Sequence, residues 1–262
     1  MRDRLNLDFL TALDLPAADL VHLASDLGVK RVSLLVTPLD GLPDFGLDRP
    51  GTARRAVLDA LRDTSVVFDM AEPFYLHADT VTDDLLPGFD TAAELGARMV
   101  NLLARTADHG QLAAQMAAAC NAAHARGMEV VTEISKRGSL VTLSQTVAFI
   151  ETNALPLGIE LDSLHFFRAG GKVGDIAAHA HHVGRIQLCD LRAGITPDQE
   201  WDEAIRDRAL PGEGIADLAG FLDALPPGAV IGLEIPQSGI PGPEAARRAR
   251  DATLKLFRSE GH

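Results

Sequence analysis

Short apolar runs of strand length alternate with longer stretches of helical periodicity along the whole chain. The runs fall at 5–10 (LNLDFL), 31–36 (RVSLLV), 66–73 (VVFDMAEP), 99–104 (MVNLLA), 129–135 (EVVTEIS), 158–163 (GIELDS), 185–190 (RIQLCD) and 230–235 (VIGLEI). Ala-rich amphipathic stretches lie between them, such as LPAADLVHLASDLG, QLAAQMAAACNAAHARG and GIADLAGFLDALP. Eight strand–helix alternations with no Pro/Ser/Gly-rich linker predict one domain over 1–262, a closed α/β barrel of the (β/α)8 TIM type. Gly28, Gly96 and Gly127 each end an apolar helix just before a strand, where a left-handed cap is expected. One connection is outsized, from Asp190 to Val230, and its polar stretch RAGITPDQEWDEAIRDRALPGEG reads either as a rim loop or as a disordered insertion.

Parity along the last four strands brings chemistry into view. Glu133, Gln187 and Glu234 fall on the face opposite the aliphatic residues of their own strands and therefore point into the barrel. Asp162 closes the sixth strand, so four oxygen-bearing side chains gather at the carboxyl-terminal mouth, where such barrels carry their chemistry. Hard oxygen donors in that number suit one divalent cation, Mn2+ or Mg2+ rather than Zn2+. Glu160 shares a face with Asp162 and would be a costly interior charge, unless it pairs with a base such as Arg185 or a bulge turns it outward.

Charge and composition narrow the partners. A net charge of −13 without any Lys/Arg block disfavours nucleic-acid binding. No apolar run has the length of a membrane span, the N-terminus does not read as a signal peptide, and the two cysteines, Cys120 and Cys189, suggest no disulfide framework. These features point to a soluble, cytoplasmic protein acting on a small molecule. HAHHVG places His179, His181 and His182 at a helix end, where imidazolium suits the dipole better than a metal cluster.

The set Glu133, Asp162 followed by His165, Gln187 followed by Asp190, and Glu234 resembles the xylose isomerase-like superfamily of sugar isomerases and epimerases. The segments LDSLHFFRAGG, IQLCDLR, LPGEGIADL and LEIP carry the likeness, whereas the N-terminal half matches only in rhythm. The resemblance implies that Glu133, Asp162 and Glu234 bind Mn2+ or Mg2+, that Glu133 and Glu234 move protons, and that His165 contacts a substrate hydroxyl or acts as an acid. It also implies a homodimer. The family's usual strand-seven ligand is histidine. Glutamine at that place is similar to the 3-dehydroshikimate dehydratases, so Gln187 is expected to remain a ligand. Arg168 and Arg192 are candidate clamps for a substrate carboxylate or phosphate, and Glu213 is expected to shape the long loop beside the substrate.

The chemistry so implied is proton abstraction next to a carbonyl of a small sugar-like polyhydroxy-ketone, with a cation beside the oxygen that becomes an enolate. Proton return on the opposite face epimerises, return to the neighbouring carbon isomerises, and loss of a β-hydroxyl dehydrates. An isomerase or epimerase is the expected activity and a dehydratase the alternative. A non-catalytic sugar-binding barrel and an endonuclease IV-like hydrolase stand further off, the latter needing more rim histidines and a less acidic chain.

Overall fold

In the computed structural model, which describes residues 2–259, all eight expected strands form. They are β1 (Leu5–Asp8), β2 (Arg31–Leu34), β3 (Val67–Leu76), β4 (Met99–Ala104), β5 (Glu129–Glu133), β6 (Gly158–Asp162), β7 (Val183–Leu188) and β8 (Val230–Leu233). Each pairs in parallel with its sequence neighbours and β1 closes on β8. The helices packed around them are α1 (Ala17–Asp26), α2 (Thr52–Thr64), α3 (Thr82–Glu94), α4 (His109–His124), α5 (Leu143–Thr152), α6 (Ser163–Arg168), α7 (Val173–His179), α8 (Glu200–Arg206), α9 (Leu218–Asp223) and α10 (Gly242–Ser259). Gly28, Gly96 and Gly127 take φ of +67°, +83° and +75°, the left-handed caps expected of them. Cys120 and Cys189 are buried free thiols.

The apolar core is a ring, not a column. Leu7, Val32, Phe68, Val100, Val130, Ile159, Ile186 and Ile231 face the helices and are buried there. The barrel axis is filled with polar groups instead. Arg185, fully buried, donates from Nε to Glu160 Oε1 (2.8 Å), from Nη1 to Asp69 Oδ2 (2.7 Å) and from Nη2 to Asp8 Oδ1 (2.7 Å) and Ser33 Oγ (3.0 Å). Asn101 Nδ2 covers the other Glu160 oxygen at 2.6 Å, and Arg31 reaches Asp69 Oδ1 at 2.7 Å. A Cβ at Gly232 would lie 2.1 Å from Asp8 Oδ2 and 3.0 Å from Arg185 Nη2, so the missing side chain on β8 makes room for this pair. Of the two devices that its sequence left open, Glu160 takes the ion pair with Arg185; the register shift between Ile159 and Glu160 leaves it facing the axis and does not turn it outward. Burial pushes Glu160 well above the usual carboxylate range and raises Asp8. Burial would also pull Arg185 down, but the carboxylates of Asp8, Glu160 and Asp69 overcome it and hold the guanidinium charged.

β3 runs three residues beyond Pro73, where the sequence pattern stops it. Its pairing with β4 skips from Ala71 to Phe74, so the proline's missing N–H falls outside the ladder. A second shift against β2 lies between Val32 and Ser33. These irregularities let Asp69 and Glu72, three residues apart, both turn inward, which a regular strand forbids.

Candidate metal centre

Each expected ligand arrives on a different strand end. Asp162 is the N-cap of α6, its Oδ1 accepting from Leu164 N (2.6 Å) and His165 N (3.3 Å). That cap fixes His165 in the first turn of α6, with Nε2 at 3.2 Å from Glu133 Oε1 on β5. Donor atoms of Glu133, Asp162 and His165 lie within 4.8 Å of one another. Glu234 follows β8, held by Thr11, whose Oγ1 donates to Leu233 O (2.6 Å) and accepts from Ile235 N (2.8 Å). Gln187, 1% exposed, donates from Nε2 to Glu72 Oε2 (3.2 Å) and Glu234 Oε1 (3.0 Å).

A guanidinium that the sequence did not single out stands between two of these acids. Arg208 donates from Nη1 to Asp162 Oδ2 and its Nη2 pairs with Glu234 Oε2, each at 2.7 Å, while Nε bonds Ala204 O at 2.7 Å. The backbone places it there, through Arg208 N to Pro236 O at 2.9 Å and an antiparallel bridge between Asp190 and Ala209. With Glu133, Asp162 and Glu234 ionised and Glu72, pushed well above the usual range by burial, protonated, one guanidinium leaves two negative charges, which one divalent cation would neutralise.

The donor chemistry fits such a cation. Both neighbours of Gln187 Nε2 are carboxylates, so the amide must turn its N–H2 to them, and Oε1 is left buried with no partner among the described residues. A hard oxygen with free lone pairs is what Mn2+ or Mg2+ recruits. Glu133, Asp162 and Glu234 keep unused lone pairs, and His165 adds a ring nitrogen. Burial, then Asp162, raises Glu133 to about 8. Burial lowers His165 to about 4, so its imidazole is neutral. Glu234 is driven well above the usual range by burial, with Arg208 opposing, whereas Asp162 ends below that range because the charge of Arg208 offsets its burial.

Glu72, Glu133, His165, Arg208 and Glu234 form the floor of a cavity of about 590 Å³ that opens at the barrel mouth, with Asp162 and Gln187 buried behind them. Its upper wall carries Tyr75 and His77 from β3 and the residue after it, Arg105 and Arg137 past β4 and β5, and Trp201 from α8. The long connection after β7 is therefore folded over the cavity.

A family model described as xylose isomerase-like TIM barrel matches residues 21–256. The chain is a xylose isomerase-like TIM barrel. No curated protein matches it. Among solved structures it superposes on a xylose isomerase-like TIM barrel/4-hydroxyphenylpyruvate dioxygenase fusion protein with a TM-score of 0.80 and 20% identity, over 99% of this chain and 43% of that one. The IolI protein with a bound zinc atom gives 0.78 at 16% identity, covering 98% of this chain and 99% of its own. The probable 3-DHS dehydratase AsbF of petrobactin synthesis in Bacillus anthracis gives 0.75 at 13% identity, covering 97% and 99%. At such identities the likeness is one of fold.

Within this family frame the expected residues divide. Glu133, Asp162, His165, Gln187 and Glu234 are brought together, but Arg168, Arg192 and Glu213 do not reach the cavity. Arg168 grips Glu203 with two bonds of 2.8 and 2.7 Å, and Arg192 is tied to Asp207 O (2.7 Å) and Oδ1 (2.9 Å). Both brace the long loop against α6 and α8. Glu213 is exposed on a turn, and Asp190 shapes that turn instead, accepting from Gly212, Gly214 and Ala216 N at 3.0 Å each. His181 and His182 gather with Glu151 beside the amino-terminal end of β7, the end of the strand opposite the barrel mouth.

Proposed function

We propose that the chain is a divalent-metal-dependent isomerase or epimerase that removes a proton next to the carbonyl of a small hydroxy-ketone. The observation that carries this reading is the buried, unpartnered Gln187 Oε1 beside three converging carboxylates. Glu133, Asp162, Gln187 and Glu234 would hold the cation, which when bound polarises the carbonyl and acidifies the adjacent carbon.

The residues of the chain divide the remaining work unevenly. Glu234 is engaged at both oxygens, by Gln187 and by Arg208, and is anchored. Glu133 has no ion pair with an arginine or lysine among the described residues and faces the neutral His165 at 3.2 Å, and the two form an acid–base pair on one side of the floor. Glu133 takes the proton from carbon, and His165 delivers or relays one to the neighbouring oxygen or carbon. Arg208 fixes the orientation of Asp162 and Glu234. Acid–base groups on a single side favour return of the proton on the same face, hence 1,2-isomerisation, over epimerisation by two opposed bases.

The same pair supports a second reading. His165 beside Glu133 is placed to protonate a departing β-hydroxyl, which with Gln187 favours dehydration of a 3-dehydroshikimate-like hydroxy-ketone. Incubation of Mn2+- or Mg2+-loaded protein with C4–C7 hydroxy-ketones in D2O tests both. Deuterium at the substrate carbon without loss of water supports isomerisation or epimerisation, and a conjugated ultraviolet-absorbing product supports dehydration. Absence of either, across metals and substrates, refutes the proposal.

A further inference from the structure

The arginines of this acidic chain are mostly spoken for. Arg54, Arg168, Arg192 and Arg208 each hold a carboxylate within 3 Å, at 2.6, 2.7, 2.9 and 2.7 Å. Two on the cavity wall differ. Arg105 lies with Cζ 5.2 Å from the Tyr75 ring centroid, and Arg137 with Cζ 4.3 Å from that of Trp201. Both line the cavity, and neither pairs with a carboxylate among the described residues. Arg105 Nη1 is buried and has no acceptor at all among them. The nearby acids are already taken: Glu133 by His165, and Glu200 by Lys136 at 2.8 Å.

A guanidinium stacked on an aromatic ring keeps its planar N–H edge free, the edge that matches two oxygens of one anion. An orphaned buried donor in such a group is unfavourable until an acceptor arrives. Two of them on adjacent βα loops, in a chain with net charge −13, are an investment in a negatively charged guest. Arg137 follows Glu133 by four residues, at most roughly 14 Å of extended chain. The anion grip and the acid–base pair can therefore engage opposite ends of one small molecule.

We propose that Arg105 and Arg137 form an oxyanion subsite, so that the substrate is a hydroxy-ketone carrying a carboxylate or phosphate at the end remote from its reacting carbonyl. This names the substrate class of the centre proposed above and rests on that reading. Tyr75 and Trp201 are the aromatic neighbours of the two guanidinium groups, and the subsite excludes neutral sugars by leaving its donors unpaired.

Trp201, the one tryptophan of the chain, reports on the subsite by its fluorescence. The probes are D-fructose, D-fructose 6-phosphate and 5-keto-D-gluconate, three hydroxy-ketones that differ at the far carbon as alcohol, phosphate and carboxylate. With Mg2+-loaded protein the two anions are expected to bind at least about tenfold more tightly than fructose, the factor of one charge-assisted hydrogen bond, and the stronger of them identifies the anion. The advantage shrinks with salt, falls about tenfold in Arg105→Gln or Arg137→Gln, and returns in part in Arg105→Lys. Equal affinity for all three, no binding of any, or an anion preference that survives in the double variant overturns the subsite. Deuterium exchange measured on the same samples separates the two proposals. Anions held without exchange refute the catalytic reading alone, and exchange on fructose alone refutes the subsite.

Discussion

Arg185→Met removes the one cation at the centre of the barrel axis. The substitution keeps much of the aliphatic length but leaves Asp8, Asp69 and Glu160 facing one another with four hydrogen bonds lost, at 2.7, 2.7, 2.8 and 3.0 Å. Breaking a buried pair by deleting one partner destabilises by about 3–5 kcal/mol. The loss must depend on pH, because the abandoned acids escape by taking up protons. Asp8 and Glu160 already sit above their ordinary values because of burial, and without Arg185 they rise further. A carboxyl whose folded pKa lies above its unfolded one binds more protons when folded, so its favourable contribution is complete below the unfolded pKa and is lost as pH rises through the folded one. Each extra proton kept by the variant steepens that loss by about 1.4 kcal/mol per pH unit. Urea melts of metal-free wild type and variant at pH 6 and pH 8 measure this directly. The deficit should approach about 3–5 kcal/mol at pH 8 and be at least about 1 kcal/mol smaller at pH 6. A deficit under about 1 kcal/mol at pH 8, or a larger one at pH 6, refutes the account of the axis as an ion-paired core.

Four further outcomes follow from the same structure. Glu133→Gln should lower deuterium exchange at the substrate carbon by about 10²–10⁴-fold while the protein still binds Mn2+, measured by NMR and by calorimetry. Glu72→Leu should weaken Mn2+ binding by about 10–100-fold, since Glu72 holds the Gln187 amide that turns Oε1 to the site, whereas Glu72→Gln should retain most affinity. The metal-free protein should lose stability between pH 6.5 and 8. There His165, lowered to about 4, no longer contributes, while Glu133, raised to about 8, still loses about 2 kcal/mol, and denaturant melts should show Mn2+ reversing the trend. Gly232→Ala, whose Cβ would lie 2.1 Å from Asp8 Oδ2, should cost about 1–3 kcal/mol in the same melts.

The barrel and the positions of four site side chains were legible in the sequence because both are periodic. Aliphatic residues facing helices and polar ones facing the axis alternate cleanly in β5, β7 and β8, so Glu133, Gln187 and Glu234 could be aimed by parity. Glu72 escaped that logic, since two register shifts in β3 break the alternation between Asp69 and Glu72. Arg208 escaped for a different reason. It comes from an irregular connection holding Arg192, Arg206 and Arg208, and only the bridge from Asp190 to Ala209 selects which of them turns inward. Arg168 and Arg192 stood beside strand ends and resembled substrate clamps, but their acids lie 35 and 15 residues away, pairings that no local pattern reveals. Arg105 and Arg137 were silent because their distinction is the lack of a carboxylate partner among the described residues.

Asp162 serves two masters, and this couples events that are distant in space. The carboxylate that faces the centre also closes the first turn of α6, and α6 ends in Arg168, locked onto Glu203 of the folded loop. A change at Asp162 therefore acts in two places: it would remove a carboxylate from the centre and at the same time uncap the helix whose last residue braces the roof.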